Sequence, residues 1–129
     1  MPCVRIAPGN WAAGRAMQLI EAVQAALVSA FQIPDGDRDI VLGLYDANRR
    51  IVPGGRSERY TRVEIIGIAA RSADAKRALY RAIADNLEEV AGVPRNATRI
   101  VLIEPEPGNW GVKGGLPASE VDLGFKIDV

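Results

Sequence analysis

The sequence predicts an α+β fold: two βαβ units related by a pseudo-twofold axis, with a four-stranded mixed sheet and both helices on one of its faces. Two observations carry this. The apolar pattern runs strand, helix, strand, twice over, and the two runs repeat at a fixed offset of sixty residues. Ile33-Pro34 stands before the triplet Ile40-Val41-Leu42, just as Val93-Pro94 stands before Ile100-Val101-Leu102. Helix 11–31 then maps onto 71–91, and strand 3–8 onto 63–68.

The elements follow in order. Cys3–Ala7 is apolar-rich and reads as a strand. Pro8-Gly9-Asn10 breaks it, with Asn10 as the N-cap of a helix from Trp11 to Phe31 whose stripe is Met17, Ile20, Val23, Leu27 and Phe31. Ile33-Pro34-Asp35-Gly36 stops that helix, and Asp39–Tyr45 reads as a buried strand. Asp46 to Arg62 is polar, rich in Arg and Gly, and reads as an exposed connection. Val63–Ala70 is the next buried strand. Ser72 caps a helix from Ala73 to about Ala91, Asp74 suits its N-terminal dipole, and Gly92 closes it. Arg99–Glu104 is the fourth strand. The tail, Pro105–Val129, is loop-like and is expected to end in a short strand at Leu123–Ile127. The chain therefore reads as one domain: a first unit over 1–45, a connection over 46–62, a second unit over 63–104 and a tail over 105–129.

Sixteen basic and sixteen acidic residues cancel, so there is no electrostatic footprint for nucleic acid or an acidic membrane surface. No apolar run approaches a membrane span, and no signal peptide is legible. The one cysteine, Cys3, excludes an internal disulfide and suits a cytoplasmic location. There is no histidine. That removes histidine metal sites and histidine acid–base chemistry, and leaves amines, guanidiniums, carboxylates, hydroxyls and Cys3.

Pro2 is the candidate centre of that chemistry. Loss of Met1 gives it a free secondary amine, whose unperturbed pKa of about 7.7–8.0 suits proton transfer near neutrality. Apolar neighbours such as Val4 and Ile6, and a nearby cation, disfavour its charged form. With the two units sharing one sheet, the start of the first strand lies beside the end of the third. That brings Arg71 to the Pro2 end, at a helix N-terminus suited to anions. The sheet face away from the helices would remain apolar and call for cover by other subunits.

The chain resembles the tautomerase superfamily along nearly its whole length. The likeness rests on Pro2, on Ile33-Pro34-Asp35-Gly36-Asp37-Arg38, on Ala70-Arg71-Ser72 followed by Lys76-Arg77-Ala78-Leu79-Tyr80, and on Asn109-Trp110-Gly111. It looks closest to the branch with malonate semialdehyde decarboxylases. The resemblance implies catalytic Pro2, Arg71 and Asp37, a substrate pocket with Arg71 and Trp110, a homotrimer, and a small carboxylate substrate without cofactor or metal. Trp110 also reads as an interface or tail anchor packing on the core, and Asp37 as a turn residue. Relatives that decarboxylate or dehalogenate use a second arginine, but Ala73 stands two residues after Arg71 and Ile65–Ala70 holds none. The dehalogenases' histidine and tyrosine are absent too, with Val23 and the aliphatic Ile100–Ile103 near those places. Keto–enol tautomerisation of a 2-oxo acid needs least: one base and one carboxylate clamp. The alternatives are decarboxylation or hydration of a three-carbon acid, with Arg38, Arg56, Arg59 or Arg62 as second arginine, and a non-catalytic trimeric binding protein.

Overall fold

The computed structural model describes residues 2–129. The four main strands are β1 (Pro2–Ala7), β2 (Ile40–Leu42), β3 (Thr61–Gly67) and β4 (Thr98–Ile103), in the order β2-β1-β3-β4. β1 pairs parallel with β2 and β3 parallel with β4, while β1 and β3 run antiparallel in the centre. Each parallel pair is joined by a helix, α1 (Ala16–Phe31) or α2 (Ala73–Ala91), as a parallel crossover requires. This is the duplicated arrangement expected from the sixty-residue offset.

Both helices pack on one face. Leu19, Ala22, Val23, Ala26, Leu27 and Phe31 of α1 are buried against Leu79, Ile83 and Leu87 of α2 and the inward Val4, Ile6, Val63 and Ile65. Met17, expected in the α1 stripe, is 63% exposed. The buried stripe runs through Leu19 and Ala22 instead, because small alanines let the two helices come close; Asn86 Nδ2 donates to the Ala22 carbonyl at 3.0 Å across that contact.

Other boundaries differ as well. The first helix is two pieces, a 3-10 segment over Asn10–Arg15 and then α1, and Asn10 does not cap it. Its side chain bonds Asp46 instead, and its N–H bonds the Tyr45 carbonyl. The expected strand over Asp39–Tyr45 is ladder-paired only over Ile40–Leu42. At α2 the reading holds: Ser72 Oγ accepts from Ala75 N at 3.1 Å, and Gly92 closes the helix in the left-handed conformation. Gln32 closes α1 in the same left-handed turn, φ 56°, sixty residues before Gly92 at φ 62°.

The expected strand at Leu123–Ile127 is absent. The tail instead forms a two-stranded hairpin, β5 (Gly111–Val112) with β6 (Leu116–Pro117), around the positive φ angles of Lys113, Gly114 and Gly115. The far face of the main sheet is apolar only in part. Val41, Ile66, Val101 and Ile103 are exposed there, but Arg5, Arg62, Glu64 and Arg99 share it. Among the described residues no helix is long and apolar enough to cross a membrane.

Candidate active site

The antiparallel register decides what meets at each end of the sheet. Pro2 pairs with Gly67, so the start of β1 lies beside the end of β3, four residues before Arg71. The parallel register of β1 with β2 brings the turn before Ile40 to the same end, where Val4 N–H donates to the Asp39 carbonyl at 2.9 Å. The end of β4 adds Glu104. Pro2, Asp37, Arg71 and Glu104 therefore share one end of the sheet, while the state of Met1 lies outside the described residues.

Arg71 is only 6% exposed. Its guanidinium lies over the Phe31 ring at 4.8 Å and gives one hydrogen bond, Nη1 to the Ile68 carbonyl at 3.2 Å. Nε and Nη2 are buried and meet no acceptor among the described residues. Burial lowers the pKa of Arg71, and the charges of Glu104 and Asp37 act against that. A buried donor without a partner costs about 1–3 kcal/mol, so the two nitrogens amount to a place prepared for an acceptor. Ser72 N–H, beside it at the start of α2, donates to the Val129 carbonyl at 2.9 Å, which brings the end of the tail alongside.

Asp37 is placed by Gln24. This α1 side chain is 2% exposed, and its Nε2 donates to the Asp37 carbonyl at 3.1 Å and reaches the Asp35 carbonyl at 3.5 Å. The turn closes on itself through Asp37 N–H to the Pro34 carbonyl at 2.9 Å. A groove of about 410 Å³ opens between this turn and the tail, lined by Pro34, Gly36, Asp37, Val112, Lys113 and Phe125. A larger depression of about 500 Å³ lies over α1 and α2, lined by Met17, Glu21, Asn86 and Glu89, away from Pro2 and Arg71.

Several expected residues go elsewhere. Trp110 is not among the groove's lining residues; its backbone is tied to Pro107 and Ala118 within the tail. Arg38 pairs with Glu21. Arg59 donates to the Ala91 carbonyl at 2.8 Å, and Arg62 to Glu64 at 3.1 Å. Both belong to the opposite end of the sheet, where α2 finishes and β3 begins. The cation that does stand near Arg71 is Lys76, paired with Glu104 at 2.6 Å. Lys76 was visible in the sequence as a basic residue in the first turns of α2, and Glu104 as the first carboxylate after an aliphatic strand. Cys3 is not a ready nucleophile: burial and then Asp39 push its thiol up to about 11. Among the described residues no group of three His, Cys, Asp or Glu side chains could hold a metal ion.

The sequence profile of a family described as tautomerase enzymes matches residues 37–113. The chain belongs to the tautomerase family. No curated protein matches it in sequence. Among solved structures it is similar to FG41 malonate semialdehyde decarboxylase inhibited by 3-bromopropiolate, at 25% identity and TM-score 0.77, covering 89% of this chain and 92% of that one. It is also similar to the Q0 fused 4-OT, a symmetric trimer, at 26% identity and TM-score 0.73, covering 92% and 95%. A native fused 4-OT superposes with TM-score 0.83 over 95% of this chain and 99% of that one; at 23% identity it speaks for the fold alone.

Proposed function

We propose that this member of the family is an isomerase that moves a proton on a small 2-oxo acid, using Pro2 as the base. The observation that carries the reading is Arg71: a buried guanidinium with two nitrogens unbonded, at the end of the sheet where Pro2 begins β1. With Met1 removed, the neutral Pro2 nitrogen takes the proton from the carbon beside the substrate's keto group. The electron pair moves onto the keto oxygen to give the enolate, and the proton returns at oxygen or carbon. Arg71 takes the substrate carboxylate on its two unbonded nitrogens and draws charge from the reacting end. Asp37, held by Gln24, orients the substrate or a water. Trp110 shields the site only if the tail hairpin moves onto it. No step calls for a cofactor.

Three copies assemble into a homotrimer through the apolar part of the far sheet face, in keeping with the fused 4-OT trimer that the chain resembles. Decarboxylation or hydration of a three-carbon acid is the second reading, favoured by the likeness to malonate semialdehyde decarboxylase and by Lys76 as a second cation near Arg71. The test is phenylpyruvate tautomerisation by the mature chain and by a chain with one residue kept before Pro2. An acylated proline nitrogen has no free lone pair, so the extended chain should be inactive. Equal rates would remove Pro2 as the base. Carbon dioxide release from malonate semialdehyde without enol turnover would move the assignment to the second reading.

A further inference from the structure

We propose that the opposite end of the sheet holds a second site, which binds a small organic carboxylate without transforming it. The antiparallel ladder locates it: its last rung, Ala7–Arg62, closes the end of the sheet opposite the rung Pro2–Gly67. A cavity of about 280 Å³ opens beside that rung, lined by Ala7, Tyr45, Arg49, Arg50, Tyr60 and Arg62. The groove beside the Asp37 turn and this cavity thus lie toward opposite ends of the sheet.

The charge on this cavity is not balanced from within. Three arginines line it and no Asp or Glu does. Arg50 gives both its Nη atoms to neutral acceptors, the Tyr60 carbonyl at 2.7 Å and the Glu58 carbonyl at 2.6 Å, so it is fixed in place with its charge intact. Arg62 has one carboxylate, Glu64, on its Nε at 3.1 Å. Arg49 has no ion pair among the described residues. Arg99 adds a further cation, 5.9 Å from the Tyr60 ring. Like charges gathered around one cavity repel, and an anion bound among them removes the repulsion.

The remaining lining fixes the class of anion. Guanidinium forks match the planar carboxylate in bidentate fashion. The rings of Tyr45 and Tyr60 and the methyl of Ala7 supply apolar contact for a short carbon skeleton, which inorganic phosphate does not use. The start of β1 lies at the other end of the ladder, so no terminal amine reaches this cavity, and the site binds without moving protons. The proposal rests on the fold and the cavity, and stands whether or not Pro2 is the base at the other end.

Benzoate is a suitable probe, being an aryl carboxylate with no proton to exchange at carbon. Amide resonances of the ¹⁵N-labelled protein should shift saturably at Ala7, Ile51 and Arg62 with millimolar benzoate. In R49A/R62A the same shifts should need at least about tenfold more benzoate, the loss of roughly one charge-assisted contact. Both side chains are exposed enough for the variant to fold, and an unchanged dispersed spectrum verifies this; Arg49→Gln alone serves if it does not. A native titration curve in the variant, or no shift at Ala7 and Ile51, overturns the proposal. So does inorganic phosphate moving those amides at lower concentration than benzoate, which would make this a tetrahedral-oxyanion site.

Discussion

Arg71→Met separates a binding arginine from a structural one. The change removes the hydrogen bond to the Ile68 carbonyl, and a bond from a charged donor contributes about 1.5–3 kcal/mol. It also removes the cation over Phe31, about 0.5–2 kcal/mol, part of which a methionine sulfur on the same ring restores. Against this, two buried nitrogens without acceptors disappear, and each had cost about 1–3 kcal/mol. Glu104 is not stranded, because Lys76 stays paired with it. The opposing effects nearly cancel, so stability should stay within about 1 kcal/mol, a few degrees in melting temperature for a domain of this size. Activity should not survive as well. Losing a charge-assisted clamp on the substrate carboxylate lowers kcat/KM by about tenfold to a hundredfold or more. Calorimetry and steady-state kinetics on the same preparation measure both quantities. A melting temperature that collapses by more than about 10 °C with kcat/KM nearly intact would refute the reasoning and make Arg71 a structural strut.

The other predictions are simpler. Arg77→Ala should leave turnover close to native, since its side chain is 67% exposed and, among the described residues, pairs only with Asp74. Gln24→Ala should cost about 1–3 kcal/mol by leaving the buried tie to Asp35 and Asp37 unmade, and should lower kcat through the freed turn; unchanged thermal stability would dismiss Gln24 as its anchor. Cys3 should react with iodoacetamide about a hundredfold more slowly than an ordinary thiol at pH 8, because its thiolate forms near pH 11 rather than 9.0. The rate should recover in denaturant, and fast labelling of the folded protein would contradict the burial and the Asp39 contact. Sedimentation should give three times 13.8 kDa, and Ile66→Lys on the far sheet face should lower that mass; a stable native monomer at micromolar concentration would remove the trimer.

The parts of the fold legible in the sequence are those set by short-range chemistry repeated twice. Ser72 and Gly92 bound α2 because a cap and a left-handed closure are local requirements. The offset between Pro34 and Pro94 was enough to place β1 against β3, and so Pro2 and Arg71 at one end. Long-range partners were not legible. Asn10 bonds Asp46 rather than the helix that follows it, and Val129 finds Ser72 across the whole second unit. Gln24 sits in the apolar stripe of α1, and nothing near it in sequence says that its amide faces the Asp37 turn. The tail hairpin is too short for a period-2 pattern to emerge, although Gly114-Gly115 marked its turn.

The two left-handed helix ends give the halves unequal mechanical character. Gly92 adopts its turn freely, whereas Gln32 takes the same turn with a side chain, at about 1 kcal/mol. A glutamine holding a glycine's conformation is a loaded spring, and it is loaded on one side only. It sits at the head of the segment that leads into the Asp37 turn, so a strained helix end adjoins the end of the sheet where Pro2 begins β1. Local opening of the chain should begin there, at the junction of α1 and that turn, and not at its twin sixty residues on.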